Sequence, residues 1–273
     1  MAECRHARPQ EREQTHQLGR TVFGDEPQAQ EAFYDLCAPQ GPLVLVEEGQ
    51  VESMLVLTPV SLACPAAAPC QGTYLYALAT NPHSRGKGYA AQLMDAAAQW
   101  TADQGMDFVC TVPAAPSLFQ FFGKNSFEPA FYHLRTPLPA PQEGPWQELT
   151  PQEYVALREE LLGGIPHIVH TPGQAAFEGQ LHGALYRLDL THGPGCAVVE
   201  DWGKFHIVKE LLCLPGDEEE GGRRVAHLCH GPGELRTPAG RAEGAPFGAI
   251  RWLTEPPALW QQTRRGYLGL ALD

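Results

Sequence analysis

Long apolar runs are missing from this sequence of 273 residues. None approaches the roughly 20 residues that a membrane-spanning helix needs. Positive charge is scarce too. The 19 Lys and Arg stand against 32 Asp and Glu, a formal net charge of −13. That balance excludes the clustered basic surface that tracks nucleic-acid phosphates, and it is mildly favourable to cationic substrates such as amines. No C-x-x-C occurs among the 8 scattered cysteines, so all read as reduced thiols. The pairs His167/His170 and His227/His230 lack a second pair at finger spacing, and no H-E-x-x-H occurs, so no metal is expected. The opening MAECRHARPQEREQTHQ has no apolar core of a secretory signal. The expectation is a cytoplasmic protein without nucleic-acid or membrane partners.

What is present is enough apolar material, 43% of residues, to build real cores. The stretch LRTPLPAPQEGPW at 134–146 carries four prolines and a glycine and reads as a linker. After it, Thr150 suits an N-cap, Pro151 the first helical position and Glu153 a capping box, with Gly163 as terminator. The expected organisation is therefore a first domain at 1–136, a Pro-rich linker at 137–148 and a second domain at 149–273.

The first half predicts helices at about 11–23 and 27–37, then strands PLVLVEE, VESMLVLTPVSL and GTYLYALAT, the first two joined as a hairpin through EEGQVE. A helix over 88–103 puts Tyr89, Leu93, Ala96, Ala97 and Trp100 on one stripe. The strand DFVCTV follows, then a short helix in SLFQFFGKNSF and a strand FEPAFYHLR. A strand–helix–strand unit implies a parallel pair, so the sheet is mixed. The second half predicts helices at 151–162 and about 172–182, then strands ALYRLDL, GCAVVED, KFHIVKELLCL, AIRWL and YLGLALD. The acid run Asp217–Glu220 reads as a solvated loop or a helix start. The matching order of elements suggests a decayed duplication.

The chemistry concentrates in NPHSRGKGYAAQLMDAAAQW, residues 81–100. Glycines just before a helix offer an anion free amide groups and the positive end of the helix dipole. A Walker A loop fails here, because Asn81 stands where its first glycine belongs and Gly88 follows Lys87. Gly86-Lys87-Gly88-Tyr89-Ala90-Ala91 spells G-x-G-x-x-A, but five residues separate it from the preceding strand and Asp107 begins the next strand instead of ending it.

Arg85-Gly86-Lys87-Gly88-Tyr89-Ala90, preceded by YALATNP, also matches R-x-x-G-x-A. Over about residues 30–135 the sequence resembles the GNAT (Gcn5-related N-acetyltransferase) superfamily. That resemblance implies an α/β fold with a mixed α+β sheet. Read across the chain, it implies two GNAT-like domains, each a largely antiparallel sheet flanked by helices, the second degenerate. It implies acetyl-CoA as co-substrate, with its pyrophosphate on Arg85, Gly86, Lys87, Gly88, Tyr89 and Ala90. It also implies a splayed strand whose Leu78, Ala79 and Thr80 pair with the pantetheine arm. The implied activity is N-acetyltransfer to a primary amine of a small molecule or peptide, by a monomer or homodimer.

The departures concern the proton-transfer groups. Phe122 stands where many members carry a tyrosine acid, and Tyr74 where histone-type members place a glutamate base. Substitutes on offer are Tyr74, Tyr76, Glu48 and, by likeness to one two-domain branch, the terminal Asp273. The alternative is a non-catalytic module that binds or senses acyl-CoA. No second R-x-x-G-x-G/A occurs, so one CoA site per chain is expected.

Overall fold

The run LVLV at 43–46 is apolar at every position because its strand is covered on both faces. Leu43 and Leu45 point into one apolar cluster, and Val44 and Val46 into another. This computed structural model describes residues 2–181, 183–239 and 242–271.

The chain forms two compact units. The first comprises Met1–Ser61, Cys70–Pro129 and Ala249–Pro256, and the second Leu62–Pro69, Ala130–Gly248 and Pro257–Asp273. The Pro-rich stretch 137–148 thus falls inside the second unit, and no single cut of the chain reproduces the division.

The first unit runs β1 (Glu3–His6), α1 (Arg12–Phe23), α2 (Pro27–Cys37), β2 (Leu43–Glu47), β3 (Gln50–Ala63, up to Ser61), β4 (Cys70–Thr80), α3 (Tyr89–Asp103), β5 (Phe108–Thr111) and α4 (Leu118–Lys124). Its sheet order is β1-β2-β3-β4-β5. The β2–β3 hairpin is antiparallel and β4–β5 is parallel, as the strand–helix–strand pattern requires. One face packs Leu43, Leu45, Leu55 and Leu75 against Leu93, Met94 and Ala97 of α3 and Phe122 of α4. The other packs Val44, Val46, Met54 and Ala79 against Leu18 of α1. The buried stripe of α3 includes Met94, Ala98 and Thr101, so it lies turned from the expected one, and Trp100 is only half-buried beside His6.

The second unit contains β6 (Glu128–Pro137, from Ala130 onward), β7 (Trp146–Glu148), α5 (Pro151–Leu162), β8 (His167–Val169), α6 (Pro172–Leu181), β9 (Gly183–Asp189), β10 (Pro194–Asp201), β11 (His206–Leu212), α7 (Glu218–Cys229) and β12 (Gly233–Pro238). β13 (Ala245–Trp252) then begins in this unit, and α8 (Ala258–Thr263) follows it. The capping box forms as expected: Thr150 Oγ1 accepts from the Glu153 N–H, and the Glu153 carboxylate accepts from the Thr150 N–H. The sheet order is β7-β9-β10-β11-β12, with β11 and β12 parallel around α7. This repeats the first unit's order.

The next position in each sheet is crossed over. β5 pairs with Ala249–Trp252 of β13, although β6 follows it in the chain, and β12 pairs with β6.

One expected strand does not form among the described residues. Among the described residues of YLGLALD, Tyr267 makes an isolated bridge, as Gly266 does just before it, and residues 268–271 are not a strand. Gly269 takes φ +79, and a Cβ there would collide with Glu210 Oε1. The Leu268 carbonyl instead accepts from Arg158 Nη2 at 2.9 Å and lies 2.8 Å from His170 Nε2. Arg158, fully buried, also reaches Glu210 at 3.0 Å and the Ile168 carbonyl at 2.8 Å. A buried charge with this many partners can be retained in a core.

Candidate functional site

β4 is longer than its parallel partner. Pairing runs from Gly72↔Phe108 to Leu75↔Thr111, where β5 stops, and β4 continues to Thr80. Ala77 sits in this extension at φ +52, a left-handed conformation unusual for a residue with a Cβ. It re-aims the strand: Leu75 and Leu78 lie on the α3 side, while Ala79 packs in the cluster containing Leu18 of α1. Thr80 Oγ1 lies 2.9 Å from Ser53 Oγ, which also donates to the Ala79 carbonyl at 2.7 Å.

A short 3-10 turn at Pro82–Ser84 carries the chain from β4 to the glycines. Gly86 and Gly88 have φ of +83 and +81, and a Cβ on either would meet no atom within 4 Å. Gly88 is the N-cap of α3, and the helical ladder starts with Gln92 N–H to the Gly88 carbonyl at 3.1 Å. The N–H groups of Tyr89, Ala90 and Ala91 precede that ladder and point out of the helix end. Arg85 and Lys87 are exposed beside them. Lys87 Nζ lies 5.4 Å from the centroid of the Tyr89 ring and donates to Ser84 Oγ at 3.3 Å. The result is an open cradle of backbone donors with two cations, suited to a diphosphate.

One contact here carried no signal in the sequence pattern. The buried Tyr89 hydroxyl donates to the Glu47 carboxylate, tying the first turn of α3 to the end of β2. That bond, then burial and the fields of Glu47, Glu52 and Glu48, pushes the phenol up to about 12. Glu52 is the extra residue of a bulge opposite Leu45/Val46, and its Oε2 lies 3.5 Å from His83 Nε2. Its carbonyl accepts from the Asn81 N–H at 2.9 Å.

Leu78, Ala79 and Thr80 and the loop from Arg85 to Ala90 therefore lie at one end of β4. Tyr74 is buried and Tyr76 half-buried, with their rings 6.5 Å apart, and Tyr76 stacks on Phe33 of α2 at 4.3 Å. Glu48 is exposed in the β2–β3 turn at φ +51. Phe122 is core, edge-on to Phe127 at 5.5 Å, and carries no proton to give. Asp273 lies outside the described residues.

The profile of the acetyltransferase (GNAT) domain family matches residues 3–129. Those residues form a GNAT domain. The match starts at β1, some 27 residues before the stretch in which the motif-based resemblance begins. The GNAT domain thus includes α1 and the edge strand before it.

Comparison with curated proteins gives no match. Among solved structures, a GCN5-related N-acetyltransferase from Anabaena variabilis ATCC 29413 is 13% identical with a TM-score of 0.71, covering 93% of this chain and 73% of that one. One from Kribbella flavida is 13% identical at a TM-score of 0.65, covering 92% and 70%. Eis1 from Mycobacterium abscessus is 12% identical at 0.64, covering 92% and 73%. At these identities the likeness is one of fold, and it extends well beyond the GNAT domain. Among the described residues no helix is long and apolar enough to cross a membrane, and no cluster of three His, Cys, Asp or Glu could hold a metal.

Proposed function

We propose that the GNAT domain binds acetyl-CoA and transfers its acetyl group to a primary amine of a small molecule or peptide. The carrying observation is the end of β4, which outruns β5 at Leu75 and leads straight into two left-handed glycines at the head of α3. Arg85, Gly86, Lys87, Gly88, Tyr89 and Ala90 would hold the pyrophosphate, and backbone groups of Leu78, Ala79 and Thr80 the pantetheine arm. A backbone N–H near Leu78 or Ala79 polarises the thioester carbonyl. The amine nitrogen attacks that carbon, the C–N bond forms and the C–S bond breaks. The nitrogen loses a proton and the departing thiolate gains one. Tyr74, Tyr76 and Glu48 are the described candidates for moving those protons.

The second unit supports one CoA site per chain. At the head of α7, the buried Asp217 carboxylate accepts from the His192 N–H at 3.0 Å, and Glu220 accepts from the Thr191 N–H at 3.1 Å. The chain's own carboxylates occupy the helix end where an anion would bind.

Core burial of Phe122 favours a second reading, a non-catalytic acyl-CoA-binding module. Incubation with acetyl-CoA and a panel of amines, following released thiol, separates the two. Tight CoA binding without turnover above background would sink the enzyme reading.

A further inference from the structure

Positive charge is scarce in this chain, yet two arginines of the second unit face each other across a strand pair. β12 pairs antiparallel with β6, and in that register Arg236 stands opposite Arg135. Leu235, between Glu234 and Arg236, packs in the cluster that holds Val225 and Cys229 of α7. Glu234 and Arg236 therefore point to the other face of the sheet. Like charges directly opposite on adjacent strands destabilise the pair. Here the two cations share one carboxylate: Glu234 Oε1 lies 3.0 Å from Arg236 Nε and 3.7 Å from Arg135 Nε. Arg135 Nε also donates to His133 Nε2 at 2.7 Å.

The donors of Arg236 are the unusual feature. The residue is only 8% exposed, so its charge is largely withdrawn from water. A buried guanidinium is retained in a fold when its donors are engaged. Arg158 meets that condition with Nε on Glu210, Nη1 on the Ile168 carbonyl and Nη2 on the Leu268 carbonyl. Arg236 engages Nε alone, on Glu234, and neither Nη group has a hydrogen-bond partner among the described residues. Its place in the sheet matters as well. Parallel pairing of β11 with β12 ends at Val208↔Leu235, so Arg236 is the first residue of β12 past the point where those strands part.

We infer that Arg236 and Arg135 form a binding site for a small oxyanion, the phosphate or carboxylate of a metabolite. Nη1 and Nη2 of Arg236 make a planar fork that matches two oxygens of such a group side by side. Glu234 holds the Nε edge of the same guanidinium, which leaves the Nη edge to the ligand. Arg135, exposed to solvent, supplies the second cation. One added negative charge then answers the arginine that Glu234 leaves unbalanced. The site lies wholly in the second unit and does not depend on the acetyl-CoA reading of the first.

The test titrates the full chain by calorimetry with inorganic phosphate and with acetate, at constant ionic strength. The better of the two is expected to bind with a Kd of about 1 mM or below. Arg135→Gln, at an exposed position, and Arg236→Gln are each expected to weaken that binding by about tenfold or more. Arg135→Gln carries the test if the buried variant does not fold. Tighter phosphate names a phosphate ester as the ligand, tighter acetate a carboxylic acid, and either supports the site. No binding of either anion overturns it. So do heats that both variants leave unchanged, as an anion held only at the glycine loop before α3 would give.

Discussion

At Gly88 two demands meet, a left-handed backbone and open space in front of it. An L-residue there is strained by about 1–2 kcal/mol, least for Asn or Asp, which visit this region with local hydrogen bonds. Gly88→Asp is therefore expected to fold and to lose CoA, because its carboxylate stands where the phosphates belong. Circular dichroism with calorimetric titration checks both halves, and retained CoA affinity would displace the site from this loop. Tyr89 makes a second residue-level case. Its hydroxyl binds Glu47, a helix donor to a hairpin acid, while in the second unit the helix residue Glu220 accepts from Thr191 on the β9–β10 turn. The tie between hairpin and helix recurs with donor and acceptor exchanged. Tyr89→Phe should lower the unfolding free energy measurably, because the Glu47 carboxylate loses its phenol donor. The raised phenol sets the sign with pH: this stabilisation is complete below the ordinary tyrosine value and lost as pH rises through about 12. Spectroscopic tyrosine titration should show one late-ionising phenol that the variant lacks.

Among the elements, those built from local pattern were legible. The β2–β3 hairpin, the β4-α3-β5 unit and the capped α5 follow from alternation, helical period and the Thr150–Glu153 box. Short edge strands were not: β1 and β7 have 4 and 3 residues, too few to show a period. Partner choice was hidden as well. AIRWL reads as a strand, but nothing in its pattern says that it pairs with β5, more than a hundred residues earlier. Tyr89–Glu47 and the Gly269 turn are long-range in the same way. The crossed pairing yields a prediction about boundaries. Phe108, Val109 and Cys110 are buried, and Ala249 and Ile250 cover the open side of β5. A chain of residues 1–136 alone should expose that edge and aggregate instead of folding. Ile250→Ala, distant from the glycines in sequence, should destabilise the first unit by about 2–5 kcal/mol. Thermal melts of the full chain and the fragment decide it, and a soluble, cooperatively melting fragment would show that the strand is dispensable.

Over the whole molecule, charge and buried histidine pull in opposite directions as pH falls. The net charge of −13 shrinks towards the pI near 5.3, which relieves self-repulsion and favours the folded state. Against this, burial first and then the nearby Arg158 lower His170 from 6.5 to about 3, and its Nε2 serves the Leu268 carbonyl. Arg5, bonded twice to Glu11 at 2.7 Å, lowers that carboxyl to about 2. Both groups have depressed values in the folded chain, so the unfolded chain binds their protons first. Their stabilisation is present above the ordinary values and is lost on acidification. For His170 the loss begins below about 6.5, with a slope of up to about 1.4 kcal/mol per pH unit for one proton. For Glu11 it begins below about 4.5. His170→Gln keeps a donor for Leu268 and removes the titration. Melting temperature followed from pH 7 downward should fall in the native chain over the histidine range. In the variant the fall should be shallower by the share of His170, with His6 and His16, both lowered by burial, still contributing, and parallel curves for the two chains would remove His170 from the account.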